Sequence, residues 1–233
     1  TVEQQVKLYD MLAKLSGPNG VIRQTEFFLY TKNDRRALEE CRALGHRYPE
    51  ITSWIRADKG DFRLVKEVGV KETGMLTSSS DYHIFMKQKK TRKQAFDDYL
   101  EVVEAAWEAD IRPRCHLEDV TRADIEGFVL PFVTELMRRS EQVAPEMRAK
   151  VRLCDTMGFG ISTPGVALPR SIPKLIYRMT NDAGVPPECL EWHGHNDFHK
   201  VHINGATAWL YGCNALNATL FGFGERTGRS EER

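Results

Sequence analysis

Two spacings of apolar residues alternate along the chain. Short runs rich in β-branched and aromatic residues at positions 21–23, 51–55, 70–76, 111–117, 151–154, 189–192 and 216–221 predict strands. Between them the apolar positions recur every three or four residues, which predicts helices. The clearest helical pattern runs from Thr91 to Asp110, where Phe96, Leu100, Val103 and Trp107 share one face and Thr91-x-x-Gln94 supplies a capping box. Thr1-x-x-Gln4 repeats that signature ahead of Leu8, Leu12 and Leu15. Further helices are expected over 34–44, over 124–139 with a kink or split at Pro131, over 172–181 with Gly184 beyond its end, and over 199–211.

A strand followed by a helix, repeated about every 20 to 40 residues, is the pattern of parallel βαβ units, and about seven of them call for an α/β chain built as a (β/α)8 TIM barrel. The count is short at both ends. The chain opens on a helix with no strand before it, and no helical pattern follows the last strand. The expectation is one catalytic barrel domain over 1–233 that lacks its first strand and last helix, with an open sheet as the other reading. No repeat, linker or composition break divides it.

Composition narrows the class. Hydrophobic residues make up 41% of the chain, enough to bury a sizeable core, while 33 Lys+Arg against 33 Asp+Glu give zero net charge. That balance removes a general electrostatic case for nucleic acid or an anionic membrane as partner. No apolar run approaches the roughly 20 residues needed to cross a bilayer, so a cytoplasmic location is expected. The five cysteines are widely spaced without any Cys-x-x-Cys pair and read as reduced thiols.

The candidate chemistry sits near predicted strand ends. In Trp192-His193-Gly194-His195-Asn196-Asp197, residues two apart point to the same face of a strand, so His193 and His195 present two imidazoles suited to adjacent positions on one metal ion. Two polar residues paired with neighbours or water is the other reading. Strand parity puts Glu191 on the same inner face and turns Leu190 and Trp192 outward. Arg114, His116 and Glu118 share a face in the same way, opposite Ile111, Cys115 and Leu117, and ionisable groups at the end of a barrel strand point to a site. A structural Arg-Glu pair would look the same. Asp155-Thr156 follows the next strand, where Asp155 could equally cap the loop. The glycine-rich stretch 222–228 lacks the Gly-Lys-Ser/Thr ending of a phosphate loop and reads as a turn with Glu225 and Arg226 paired, and the basic run Lys87 to Lys93 reads as a solvated loop.

These motifs taken together resemble a known family. Ser80-Asp81-Tyr82-His83, Leu117-Glu118-Asp119-Val120-Thr121-Arg122, Cys154-Asp155-Thr156-Met157-Gly158, His193-Gly194-His195-Asn196-Asp197 and Gly222-Phe223-Gly224-Glu225-Arg226-Thr227-Gly228 occur in the order found in the 2-isopropylmalate and homocitrate synthases. These are metal-dependent Claisen-condensing TIM barrels, in a superfamily that includes 3-hydroxy-3-methylglutaryl-CoA lyase. Arg23 to Tyr30 and His193 to Lys200 are most similar to the Re-type citrate synthases. The resemblance implies an acyltransferase that condenses acetyl-CoA with a 2-keto acid. It implies His193 and His195 as ligands of a divalent ion (Mn, Mg, Co or Zn), Glu118 and His83 as catalytic groups, and Thr156 as the holder of the keto-acid carboxylate. Arg114 and His116, joined by Arg152 through strand parity, favour an acceptor with a second carboxylate, and oxaloacetate giving citrate is the expected reaction. The family's first strand carries an adjacent Arg and Asp that would precede Thr1, and its usual Asn after the glycine-rich turn is replaced by Arg229 to Arg233, so the chain is expected to be incomplete. A homodimer is expected. Two alternatives stay open: a hydroxyacyl-CoA lyase of the same superfamily, and a catalytically incomplete barrel that serves as a binding or assembly module.

Overall fold

A computed structural model of the chain describes residues 1–220, Gly222 and the backbone of 231–232. Seven strands, β1 (Gln24–Phe28), β2 (Glu50–Arg56), β3 (Glu72–Ser78), β4 (Arg112–Glu118), β5 (Lys150–Asp155), β6 (Leu190–Gly194) and β7 (Ala215–Asn217), follow one another in chain order in one parallel sheet. Seven helices alternate with them: α1 (Val2–Ser16), α2 (Lys32–Ala43), α3 (Lys59–Val68), α4 (Arg92–Glu108), α5 (Leu130–Ser140), α6 (Ile172–Tyr177) and α7 (Val201–Leu210). Among the described residues the order opens on α1 and the main sheet has seven strands, as the apolar spacing predicts.

The chain divides into two compact units. The first holds residues 1–75 and 101–113. Here α1 starts on the predicted box, with the Thr1 side chain accepting from Gln4 N–H and the Gln4 side chain reaching back to the Thr1 amine. Strand β1 lies beside β2 with Gln24 opposite Glu50 and Phe28 opposite Trp54. It begins three residues later than its Val-Ile signal, because the Ser16 hydroxyl bonds both the N–H and the C=O of Ile22 and holds 17–22 as a turn. Val21 is accordingly 85% exposed. The apolar pattern also misses α3, which Asp58 caps through the N–H groups of Gly60 and Asp61 and which Gly69 ends at φ 62°.

The second unit holds residues 76–100 and 114–233. Helix α4 starts on the Thr91-Gln94 box. The Pro131 break is present: a π-helical turn over Ile125–Val129, capped by Asp124, precedes α5. The aromatic rings of Phe96 and Phe128 both pack on the fully buried Phe132. Strands β4, β5, β6 and β7 run side by side with Leu117, Leu153, Trp192 and Leu216 in register. Of these, Leu117, Leu153 and Trp192 are buried, and with Cys115, Val151 and Leu190 they form the apolar face of the strands. The strand expected over 216–221 is split. Asn217 ends β7 beside His193, whereas Thr219–Leu220 pairs with Glu231–Glu232. The glycine-rich stretch from Phe223 to Gly228 lies outside the described residues.

Candidate active site

The other face of these strands is ionisable, and the register stacks it in rows. His116 lies opposite Arg152 and Arg152 opposite Glu191, while one pleat further on Glu118, Cys154, His193 and Asn217 line up. In the lower row Arg152 places Nε and a terminal nitrogen 2.8 and 2.7 Å from Glu191 Oε2. Arg114 and Lys150 stand 3.7 and 3.5 Å from Glu191 Oε1. Burial opposes the charge on Glu191, yet Arg152, Arg114 and Lys150 outweigh it and hold the carboxyl at about 2. Arg114, with no exposed surface, also donates from Nε to His116 Nε2 at 3.2 Å, so that nitrogen of His116 is an acceptor.

Glu118 closes β4 at the upper row. Its carboxylate accepts from the Ser78 hydroxyl and stands 2.8 Å from His83 Nδ1, a close contact without hydrogen-bond alignment. Lys87 Nζ reaches both carboxylate oxygens, at 3.2 and 3.4 Å. The run from Lys87 is therefore not wholly a solvated loop. His83 and Lys87, four residues apart on a π-helical turn over Tyr82–Lys87, both bear on Glu118. Burial opposes ionisation here too, but His83, Ser78 and Lys87 together keep Glu118 at about 2, a carboxylate throughout the neutral range.

His193 and His195 are both buried, with their Nε2 atoms 2.9 Å apart. His193 Nδ1 lies 2.6 Å from Asn217 Oδ1. An amide oxygen only accepts, so Nδ1 carries the proton and Nε2 keeps its lone pair toward His195. Two nitrogens at that separation match neighbouring positions about 2.1 Å from one ion. Among the described residues no third His, Cys, Asp or Glu converges on the pair, so the imidazoles fit a divalent ion as part of a ligand set.

Thr156 is placed by the neighbouring strand end: its hydroxyl oxygen accepts from Asp119 N–H at 2.8 Å. Asp155, beside it, anchors the following loop. It takes the Thr121 hydroxyl at 2.7 Å and the N–H groups of Phe159 and Gly160 at 2.8 and 2.9 Å, and burial pushes its carboxyl up. The capping reading of Asp155 is the one the structure bears out.

The HMGL-like family matches residues 22–231. The chain belongs to the HMGL-like family. Among the relatives of this HMGL-like chain, a citrate (Re)-synthase of Syntrophus aciditrophicus (strain SB) is 58% identical over 98% of the chain and 36% of the relative. A citrate (Re)-synthase of Clostridium kluyveri is 54% identical over 98% of the chain and 50% of the relative. The chain thus spans half or less of the length of these two relatives. A crystal structure of hydroxymethylglutaryl-CoA lyase from Pseudomonas aeruginosa superposes with TM-score 0.71 at 21% identity, covering 99% of this chain and 75% of that one, which establishes the TIM-barrel fold with some barrel elements missing. The resemblance read from the motifs holds.

The structure brings the expected residues together as three pairs: Glu118 with His83, Arg114 with His116, and His193 with His195. Thr156 joins the first pair through Asp119, the residue after Glu118. Ser78, Lys87, Asp119 and Asn217 were not foreseen. The four-residue spacing of His83 and Lys87 was a usable signal for one of them, whereas Ser78 and Asn217 reach the site from strands 40 and 24 residues away in sequence.

Proposed function

We propose that the protein containing this chain condenses acetyl-CoA with oxaloacetate to give citrate and CoA. The observation that carries the reading is the convergence, within one unit, of an ionised Glu118 backing His83, a pair of imidazoles 2.9 Å apart, and a threonine hydroxyl at a neighbouring strand end. High identity to two citrate (Re)-synthases supports it. His83 Nδ1 faces the Glu118 carboxylate at 2.8 Å, so Nε2 is the ring nitrogen directed away from it. His83 is accordingly the group that takes a proton from the acetyl methyl, and the Glu118 carboxylate stabilises the imidazolium so formed. The resulting carbanion attacks the keto carbon, the carbonyl π bond opens to an alkoxide that takes up a proton, and water then cleaves the thioester to a carboxylate with CoA leaving as the thiol. Thr156 donates to the carboxylate next to that carbon, and Arg114 and His116 supply donors for the distal carboxylate. His193 and His195 would hold a divalent ion, with Asn217 fixing the tautomer of His193; when bound, the ion supplies Lewis-acid polarisation of the keto carbonyl. No helix among the described residues is long and apolar enough to cross a membrane.

The test uses the full-length protein with divalent metal, a thiol trap for released CoA, and oxaloacetate, 2-oxoglutarate, pyruvate and 2-oxoisovalerate in turn. Release that depends on oxaloacetate is expected. No release with any keto acid refutes the condensation, and formation of acetyl-CoA from a hydroxyacyl-CoA without net condensation puts a lyase in its place.

A further inference from the structure

A second set of side chains lies on the loops that follow the same strands as the candidate site. Tyr82 follows β3, Arg122 follows β4, Phe159 and Arg170 follow β5, and Phe198 and Lys200 follow β6. Rings and cations are interleaved among them. The Arg122 guanidinium carbon stands 4.7 Å from the centre of the Tyr82 ring and 6.0 Å from that of Phe159. Arg170 stands 5.2 Å from the Phe159 ring, the ring centres of Phe159 and Phe198 are 5.5 Å apart, and Lys200 Nζ lies 5.5 Å from the Phe198 ring. Each cation is within the reach of the attraction between a positive charge and an aromatic face.

Two of the cations are anchored. Asp119, a fully buried residue at φ 65°, donates its N–H to Thr156 Oγ1 at 2.8 Å and accepts the Ser80 hydroxyl at 2.6 Å. The same carboxylate takes Arg122 Nε at 2.9 and 3.0 Å and a terminal nitrogen at 2.7 Å, which fixes the plane of the guanidinium. Lys200 Nζ donates to the Gly160 carbonyl at 2.9 Å. The rings, by contrast, face solvent: Tyr82 is 63% and Phe198 55% exposed, and Arg170 is exposed beside them. A single exposed aromatic residue is ordinary, but rings and cations joined across four loops make a continuous surface that sets π faces beside positive charge. Such a surface suits a ligand that is aromatic and anionic at once. Of the proposed substrates only acetyl-CoA has such a group, an adenosine that carries a 3′-phosphate and a 5′-diphosphate.

We propose that this rim binds the nucleotide end of acetyl-CoA, with adenine stacked on Phe198 and Phe159 and the phosphates met by Arg170 and its neighbouring cations. The choice of ligand rests on the proposed condensation. Tyr82 adjoins His83, the proposed base, so the series begins at the reacting end. The pantetheine arm puts thioester and nucleotide at opposite ends of one molecule. A thioester held at His83 therefore leaves the nucleotide on the loops beyond the strand ends, the face on which parallel barrels bind phosphorylated ligands. Stacking on the rings supplies affinity, and the arginines supply selectivity for the phosphates.

The experiment compares acetyl-CoA with acetylpantetheine, which carries the same thioester and lacks the nucleotide, in the full-length protein with divalent metal and oxaloacetate. Arg170→Ala and Phe198→Ala should each raise the KM for acetyl-CoA about tenfold, the worth of one charge-assisted contact or one stacked base, and Arg170→Glu should raise it further. With acetylpantetheine all three variants should stay within about twofold of wild type, because the contact they remove is not made. Both side chains are exposed, so the substitutions leave the core untouched. Adenosine 3′,5′-bisphosphate should bind wild type by calorimetry and bind Arg170→Ala about tenfold more weakly. An unchanged KM for acetyl-CoA in Arg170→Ala and Phe198→Ala, an equal rise for acetylpantetheine, or no binding of the bisphosphate by wild type overturns the proposal. The parent reading fails separately. Bisphosphate binding that depends on Arg170, without CoA release for any keto acid, sinks the condensation and leaves the nucleotide site. CoA release indifferent to Arg170 and Phe198 sinks the site and leaves the condensation.

Discussion

Removing the carboxylate of Glu191 is the most informative single perturbation of this chain. Glu191 and its principal partner Arg152 are each 6% exposed at the side chain, with Arg114 at 0% and Lys150 at 11% around the same carboxylate. Breaking a buried ion pair by removing one member costs about 3–5 kcal/mol, because the partner stays behind in a medium that solvates it poorly. Glu191→Gln takes the negative charge from among three cations and belongs at the upper end, about 5 kcal/mol. Arg152→Met leaves Glu191 with Arg114 and Lys150 and belongs near 3 kcal/mol. The titration gives a comparable figure: a carboxyl held at about 2 against an ordinary 4.5 carries about 3 kcal/mol of stability. For a depressed carboxyl that contribution is complete above its unfolded value and is lost as pH falls from about 4.5 toward 2. Urea titrations at pH 7 should therefore place Glu191→Gln below Arg152→Met and both below wild type. Melting should drop by roughly 10–20 °C for the first and 6–12 °C for the second. The difference between wild type and Glu191→Gln should shrink between pH 4.5 and 2. If Glu191→Gln is no less stable than Arg152→Met, or if the difference is flat across that window, the carboxylate is not what balances the row.

His193→Ala should abolish detectable binding of Mn or Zn by calorimetry while the circular-dichroism spectrum stays that of wild type; unchanged affinity would clear His193 of the ligand role. Gly158→Ala forces a side chain onto φ 69° and a Cβ to 3.0 Å from the His195 carbonyl oxygen, so it should lose about 1–3 kcal/mol in urea titration and weaken metal binding with it. Loss of stability with metal affinity intact would separate the loop from the histidine pair. Arg114→Leu should lower kcat/KM for oxaloacetate by at least about a hundredfold while that for 2-oxoisovalerate changes far less, and an unchanged selectivity profile would remove Arg114 from the substrate site.

What the chain itself determined is what depends on neighbours a few residues away. The Thr1 and Thr91 boxes start α1 and α4 where their spacing says, because a capping hydroxyl and the amides it serves are three residues apart. Pro131 breaks its helix for an equally local reason. The two-residue period of a strand was enough to put Arg114, His116 and Glu118 on one face and His193 with His195 on another, since pleating is a property of the backbone alone. Tertiary structure decided the rest. Val21-Ile22 has the composition of a strand, but the Ser16 hydroxyl claims the Ile22 backbone and moves β1 to a more polar segment. Lys87 looks solvated in sequence, and only the packing of its turn against β4 brings it to Glu118, 31 residues on. Asn217 acquires its role from β7 lying in register with β6, and Asp119 its conformation from partners on two other strand ends. Ionisation follows the same division: the sequence places a glutamate on an inner face, but whether burial raises its pKa or cations lower it is a balance of two large opposing energies that depends on which side chains the fold brings within about 4 Å.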